Sequence, residues 1–333
     1  MKIFFISLIL LLSAASQAQE EVHWLTLAEA EKQCKDKPKP YLFDFYTDWC
    51  GWCKHMDKTT YTDPVVISFI NNHFYPVRIN AESADTLVFK DKIYAPVKNG
   101  GKSVSSFAIE MLGGKLSYPS TVFIYEPAKI NFVVPGYLEI VKMQGFLVYF
   151  IENAWQSTHI NDFLPDFESV FGAGAEKRQD GADYWISFQE LTEKQQEHKK
   201  KTLLFLEASW NNSSRMMERV VFTDSLFAAE AREHFHCVRL DAQSRDTITF
   251  MTHVFHNAGS GNHNLHQLAI ALSDKVLKVP GIYLFDEQGK LMESLFYYID
   301  RNRGRLILDY IGNDIFKELS WEDYVKIRAR ETL

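Results

Sequence analysis

The sequence predicts an α/β protein made of two tandem copies of one domain. An apolar and aromatic segment over residues 41–46 has the composition of a buried strand. Residues 55–72 then mix apolar and polar side chains as a helix does, with a break at Asp63-Pro64. The chain also matches itself when it is shifted along its own length. Its 333 residues, 46% of them apolar, are enough for two globular domains.

The internal repeat follows a shift of 161 residues and needs no gap. Matched pairs include Trp24 with Trp185, Leu42 with Leu203, Trp49 with Trp210, Asp63 with Asp224, Arg78 with Arg239, and Pro119 with Pro280. Chance does not hold one register over about 130 residues, whereas a duplicated structural unit does. We therefore predict one domain over residues 19–158 and a second over 180–333, joined by a linker over 159–179.

Cys50 and Cys53 lie where the predicted strand passes into the predicted helix. Unpaired backbone N–H groups at a helix N-terminus stabilise an anion, here the thiolate of Cys50. Two intervening residues let Cys53 reach Cys50 and close a disulfide. The pair predicts thiol–disulfide exchange, with Cys50 as nucleophile and Cys53 as resolving thiol. The alternatives are a structural disulfide or half of a zinc site, although zinc would require a second Cys or His pair at similar spacing.

The residues around this pair resemble the thioredoxin superfamily. The resemblance rests on three motifs, Asp44-x-Tyr46-x-Asp48-Trp49-Cys50-x-x-Cys53-Lys54, Thr60-Tyr61-Thr62-Asp63-Pro64 and Tyr118-Pro119-Ser120-Thr121. Within the superfamily the sequence is most similar to the periplasmic catalytic domain of DsbD-type thiol:disulfide interchange proteins. The motifs cover residues 39–126. They imply that each domain has a mixed central sheet flanked by helices.

The resemblance also implies roles for individual residues. Asp44 would be a buried acid that accepts the proton of Cys53, and Lys54 would give electrostatic support. Pro119 would follow a cis peptide bond, so that the backbone of Tyr118 could pair with an extended substrate. The other residues expected to contact substrate are Trp49, Gly51 and Trp52.

The second copy keeps residues that shape this site and lacks those that react. Asn211 and Ser214 stand in place of the two cysteines, and Phe205 stands in place of Asp44. Trp210 and Pro280 remain. We therefore expect a degenerate site formed by Trp210, Asn211, Ser214 and Pro280, with a cis bond before Pro280. Its role would be structural or partner-binding.

The first 18 residues predict a signal peptide. Lys2 is followed by an apolar run over residues 3–12 and by the small-residue cleavage pattern Ser16-x-Ala18. The run is too short to span a bilayer. Together with the resemblance, it predicts export to the periplasm and reduction or isomerisation of disulfides there. The expected partners are disulfide-containing proteins and a membrane-bound electron donor. A net charge of −7 argues against nucleic acid as a partner.

Two other functions stay open at this point. The chain could be a thioredoxin-like adaptor or chaperone whose cysteine pair is incidental. It could also handle copper through Cys50, Cys53 and a loop containing His253, His256, His263 and His266. We expect no metal and no cofactor, because histidines are common in exposed loops and no carboxylate or cysteine stands beside these. Cys34 and Cys237 have no activating neighbours in the sequence, so we expect both to be buried free thiols.

Overall fold

The computed structural model describes residues 20–174, 183–257, 259, 264–274 and 276–331. The predicted signal peptide and His263 lie outside these residues. The chain divides into two compact units, Met1–Tyr137 and Leu138–Leu333. Each contains a four-stranded mixed sheet and flanking helices, so the predicted α/β class is confirmed. Among the described residues, no helix is both long and apolar enough to cross a bilayer.

The first unit is built around a central strand that is buried on both faces. Its elements are α1 (Leu27–Asp36), β1 (Tyr41–Tyr46), α2 (Gly51–Lys58), α3 (Pro64–His73), β2 (Tyr75–Asn80), β3 (Leu87–Phe89), β4 (Lys92–Tyr94), β5 (Val97–Asn99), β6 (Lys102–Val104), α4 (Ser106–Met111), β7 (Ser120–Tyr125) and β8 (Ile130–Pro135). The main sheet has the order β2–β1–β7–β8. β1 runs parallel to β2 and antiparallel to β7. This central position explains why β1 is a nearly continuous apolar run.

The break at Asp63-Pro64 separates α2 from α3. The Asp63 carboxylate accepts hydrogen bonds from the backbone N–H groups of Val65 and Val66, and Pro64 occupies the first helical position. A side-chain cap and a proline at this position are local signals that start a helix. The stretch 55–72 is therefore two helices, and the first of them is the short helix that begins after Cys50.

The long connection between β2 and β7 is folded and attached to the sheet by aromatic rings. It contains two hairpins, β3–β4 and β5–β6, followed by α4. Phe107 of α4 is fully buried, and its ring centroid lies 5.6 Å from that of Phe43, 5.6 Å from that of Phe89 and 5.0 Å from that of Tyr94. This packing holds the connection that leads into Tyr118 and Pro119.

The second unit repeats the same sheet. Its elements are α5 (Ile140–Ile151), α6 (Ile160–Phe171), α7 (Phe188–Glu197), β9 (Lys201–Glu207), α8 (Asn212–Met216), α9 (Ser225–His234), β10 (Phe235–Asp241), β11 (Ile248–Phe250), β12 (His253–Phe255), α10 (Gln267–Leu272), β13 (Gly281–Phe285), β14 (Leu291–Leu295), α11 (Arg301–Gly312) and α12 (Trp321–Glu331). The sheet order is β10–β9–β13–β14. Leu203 pairs with Cys237 as Leu42 pairs with Pro76, so the strand register follows the 161-residue repeat of the sequence.

The stretch expected to be a linker, residues 159–179, includes the packed helix α6. Phe163, Phe167 and Val170 of α6 are buried, at the spacing of one helical face. α6 packs closely on α5, because a Cβ placed on Gly145 would lie 2.9 Å from the side chain of Leu164. The sequence interpretation did not use the apolar period of these residues. The two compact units divide before α5, and the limits 19–158 and 180–333 stay predictions.

Candidate active site

The two cysteines of the first unit form a disulfide at the start of α2. Cys50 is the N-cap residue, and its Sγ accepts a hydrogen bond of 3.0 Å from the backbone N–H of Cys53. The Cα atoms are 5.3 Å apart and the sulfurs are bonded at 2.09 Å. Both side chains are buried, with 4% and 3% exposed, so exposure does not distinguish the nucleophile. The N-terminus of α2 directs the backbone N–H of Cys53 at the Cys50 sulfur, which favours the prediction that Cys50 is the nucleophile.

Asp44 lies on β1 and is 2% exposed. The register of β1 and β2 places Arg78 directly opposite, with Arg78 Nε 3.0 Å from Asp44 Oδ2. The other end of the guanidinium lies 2.8 Å from Asp57 Oδ1 on α2. Burial raises the pKa of Asp44 to about 6, Arg78 opposes this rise, and the charge of Asp57 adds to it. Asp44 can therefore be either ionised or protonated near neutral pH, as a proton acceptor must be.

Arg78 and Asp57 are site residues that the sequence interpretation did not assign. Arg78 also stacks on the rings of Tyr46 and Trp24, at 4.6 and 5.3 Å from their centroids. Tyr61 is buried near Asp44, and burial followed by the Asp44 charge raises the pKa of its hydroxyl. One signal was present in the sequence, since Asp57 follows Cys53 by four residues and so lies on the same helical face.

Exposed aromatic rings flank the disulfide on two sides. Trp49 is 62% exposed and packs edge-on against Tyr118, with centroids 6.3 Å apart. Trp52 is 61% exposed and lies 5.6 Å from Tyr137, a residue absent from the sequence interpretation. Tyr137 also lies 5.0 Å from the imidazole of His55. Two exposed tryptophans next to the cysteines give an apolar surface suited to a protein substrate.

Pro119 lies in the loop before β7 and follows a cis peptide bond after Tyr118. Its carbonyl accepts a hydrogen bond of 2.8 Å from the backbone N–H of Gly136. The backbone N–H and C=O of Tyr118 form no hydrogen bond with any described residue. They are therefore available to an extended peptide.

Gly51 and Lys54 have weaker structural support as site residues. A Cβ on Gly51 would meet nothing within 4 Å, so the space there is open. Lys54 is exposed and forms no ion pair with the described part of the chain. Its expected electrostatic support of Cys50 stays a prediction.

In the degenerate site of the second copy, the polar groups form hydrogen bonds with one another. Asn211 Oδ1 accepts from the backbone N–H of Ser214 at 2.7 Å and from its hydroxyl at 2.9 Å. Asn211 Nδ2 donates to the carbonyl of Val279, the residue before Pro280, at 3.3 Å. The Val279–Pro280 bond is cis, and Trp210 remains exposed. A carbonyl that already accepts the Asn211 amide is less available to a substrate strand.

Glu152, at the end of α5, caps the N-terminus of α8. Its carboxylate accepts hydrogen bonds from the backbone N–H groups of Asn212 at 2.9 Å and Ser213 at 2.6 Å. Burial raises the pKa of Glu152, and these bonds oppose the rise. The helix terminus that faces a sulfur in the first copy therefore faces an internal carboxylate in the second.

The structure also describes three other residues that the sequence singled out, Cys34, Cys237 and His266. Cys237 is buried and burial raises the pKa of its thiol, whereas Cys34 is only partly buried, on the last turn of α1. The expectation of two buried thiols is therefore wrong for Cys34. His266 caps α10 through Nδ1 and is buried, a structural role. Within the described ranges, no group of three or more His, Cys, Asp or Glu side chains is placed to hold a metal ion.

Disulfide exchange needs two thiols within bonding distance, a setting that favours the thiolate, and a base for the second thiol. The first unit has Cys50 and Cys53 bonded to each other at the N-terminus of α2, and Asp44 is the residue predicted to act as the base. It is a thiol-disulfide oxidoreductase. A family model of DsbH-type thioredoxins, described as "Protein of unknown function, DUF255", matches residues 11–160, and a model described as thioredoxin-like matches residues 184–263. Over these two stretches the chain matches thioredoxin-like families.

Several solved structures are similar over part of the chain. A thioredoxin-fold protein from Helicobacter pylori is 15% identical, with 39% of this chain and 81% of that chain covered and a TM-score of 0.31. A DsbH oxidoreductase is 18% identical, with coverages of 38% and 81% and a TM-score of 0.27. The DsbD C-terminal domain of Neisseria meningitidis, in its reduced form, is 19% identical, with coverages of 38% and 91% and a TM-score of 0.26. No curated protein sequence matches the chain significantly.

Proposed function

We propose that the chain is an exported enzyme that reduces or isomerises disulfides of periplasmic proteins through Cys50 and Cys53. The observation that carries this proposal is the position of the Cys50 sulfur, which caps α2 and accepts the backbone N–H of Cys53. The same N–H group would stabilise the thiolate in the reduced protein. Export is supported by the pattern of the first 18 residues, and the reducing direction by the resemblance to DsbD-type domains.

The reaction proceeds in two exchanges. The Cys50 thiolate bonds to one substrate sulfur, and the other substrate sulfur leaves as a thiolate. Asp44 then accepts the proton of Cys53, whose thiolate bonds to Cys50 and releases the first substrate sulfur. The substrate gains two electrons and the protein ends with the Cys50–Cys53 disulfide, which is the state of the structure. A membrane-bound dithiol donor would return these electrons.

Reduction of insulin disulfides by the purified protein, with dithiothreitol as electron source, tests the dithiol chemistry. We expect Cys50→Ser to abolish turnover and Cys34→Ser, a matched change outside the pair, to retain it. An adaptor with an incidental cysteine pair would be equally inactive before and after the Cys50→Ser change. Metal analysis of the purified protein tests the copper alternative, and a bound copper ion would contradict our proposal.

The reduction potential of the Cys50–Cys53 couple tests the direction of electron flow. We expect a value near that of thioredoxin, about −270 mV, whereas a value near about −120 mV would make the protein an oxidant. Cell fractionation of the full chain, compared with a chain that starts at residue 19, tests export. Recovery of both proteins in the cytoplasmic fraction would contradict it.

A further inference from the structure

The residues beside the cysteines change between the two copies, although the fold around them does not. Under the 161-residue correspondence the replaced residues are Asp48 by Ser209, Glu82 by Gln243 and Tyr118 by Val279. Trp49 is kept as Trp210, and the registers of the central strands coincide. A residue needed only for the fold would be kept where the fold is kept. The fold therefore does not require the two acids or Tyr118.

Glu82 is held at the edge of the exposed rings. Its Oε2 accepts a hydrogen bond of 2.9 Å from the indole N–H of Trp49, and its backbone N–H donates to Asn80 Oδ1 at 2.9 Å. Burial and, after it, the charge of Glu82 raise the pKa of Tyr118. The carboxylate therefore lies at the edge of Trp49, whose ring packs edge-on against Tyr118.

Asp48 and Glu82 both lie next to Trp49, and both form hydrogen bonds with the side chain of Asn80. Asp48, the residue before Trp49, is exposed, and its Oδ1 accepts a hydrogen bond of 3.2 Å from Asn80. The second oxygen of Glu82 lies 3.9 Å from Nζ of Lys102, a long contact to a side chain that is 72% exposed. Such an exposed pair is weak, so an incoming cation can displace Lys102. A carboxylate next to an exposed aromatic face is an arrangement that binds lysine and arginine side chains.

We propose that Asp48, Trp49, Glu82 and Tyr118 form a cation-binding flank that favours protein disulfides whose cysteine stands next to a lysine or arginine. The inference rests on the proposed function and specifies its substrate. A strand paired with the free backbone groups of Tyr118 would carry the side chain beside its cysteine across Trp49. The cation stays on the flank while the Cys50 thiolate bonds to the substrate sulfur and the partner sulfur leaves as a thiolate.

Three peptides that differ at one residue test the flank. Each carries one cysteine as a mixed disulfide with thionitrobenzoate, and the residue next to the cysteine is lysine, glutamine or glutamate. Release of the coloured thiolate by the reduced full chain reports the first exchange. We expect the lysine peptide to react roughly three- to tenfold faster than the glutamate peptide. The ratio should fall towards one at high ionic strength.

Two variants should move this ratio in opposite directions. Glu82→Gln keeps a hydrogen-bond acceptor for Trp49 and removes the charge, so the ratio should fall by at least about half. Lys102→Gln removes the competing cation, so the ratio should rise. Glu126→Gln is the matched control, because Glu126 pairs with Lys90 elsewhere in the same unit and should leave the ratio unchanged.

The outcomes separate this inference from the proposed function. Equal rates for all three peptides, or a Glu82→Gln variant with the ratio of the unaltered chain, would overturn the cation-binding flank while the enzyme remains an oxidoreductase. Failure of the reduced chain to react with any peptide or with a small aromatic disulfide would instead overturn the proposed function. A faster glutamate peptide would show that Lys102 and not Glu82 governs the flank.

Discussion

At the scale of single residues, the helix terminus separates the reactivity of Cys50 from that of Cys53. After reduction, the N–H groups at the start of α2 stabilise the Cys50 thiolate, and Cys53 lies one turn inside the helix. We expect iodoacetamide near neutral pH to label Cys50 first, partly buried Cys34 more slowly and buried Cys237 not at all. Mass spectrometry of the peptides measures the order. Labelling of Cys53 ahead of Cys50 would reverse the assignment.

Asp44 should control the second exchange. Since its pKa is raised to about 6, the resolving step should accelerate as pH rises through about 6 and then level off. Asp44→Asn should slow this step by at least about tenfold and remove its pH dependence. Stopped-flow release of a peptide from the Cys50 mixed disulfide measures the step. A variant with unchanged kinetics at every pH would exclude Asp44 from the mechanism.

The raised pKa of Asp44 also has a consequence for stability. The pKa of Asp44 is about 4 in the unfolded chain and about 6 in the folded protein, so the folded state binds this proton more tightly. The free energy of unfolding therefore falls as the pH rises from about 4 to about 6. Above about pH 6 Asp44 is ionised in the folded protein, and burial of its charge lowers the free energy of unfolding by the full amount. Asp44→Asn should therefore be more stable than the unaltered chain near neutral pH, with the difference vanishing near pH 4. Urea denaturation at the two pH values checks the sign.

Arg78 and Asp57 should shift the pH dependence of the resolving step in opposite directions. Arg78→Met removes the cation that opposes the rise in the Asp44 pKa, so the midpoint should move up. Asp57→Asn removes a negative charge that adds to this rise, so the midpoint should move down. Arg239→Met is the matched control, since Arg239 pairs with Glu218 at 3.5 Å in the second copy. Midpoints that move together would indicate a structural effect only.

At the scale of elements, the contact between the end of α5 and the start of α8 should support the second unit. Glu152→Ala would leave two partly buried N–H groups of α8 without their acceptor, a loss of roughly 1–3 kcal/mol in unfolding free energy. Glu139→Ala is the control, because Glu139 begins the same helix without a side-chain cap bond. Urea denaturation measures both variants, and disulfide exchange should be unaffected in each. Equal stability of the two variants would contradict the role of Glu152.

At the scale of the whole molecule, we expect the first copy to carry out the disulfide chemistry and the second copy to have a structural role. Trp49→Ala should lower the rate on protein disulfides more than on small ones, because Trp49 is part of the exposed surface beside the disulfide. Trp210→Ala should leave both rates unchanged, because the polar groups near Trp210 already form hydrogen bonds with Asn211 and Glu152. Steady-state rates on insulin and on a small aromatic disulfide compare the variants. A selective loss in Trp210→Ala would restore a partner-binding role to the second copy.

The sequence by itself determined the features that depend on near neighbours and on the repeat. The spacing of Cys50 and Cys53 and the start of α3 at Asp63-Pro64 are local, and the structure contains both. The 161-residue repeat predicted two sheets of one kind, and their strand registers agree with it. The apolar period of α6 is equally local, but these residues were assigned to a linker, and the structure has a packed helix there.

Only the tertiary structure decided which distant residues share the site. Arg78 meets Asp44 because β1 and β2 are parallel in one register, and Tyr137 meets Trp52 because β8 ends beside α2. Glu82 reaches Trp49 across a separation of 33 residues. Such pairs depend on how strands and helices assemble, because the side chains are brought together by the packing of whole elements and not by their spacing along the chain. The packing of whole elements also brings the Glu152 carboxylate to the N-terminus of α8, a contact that no local sequence pattern predicts.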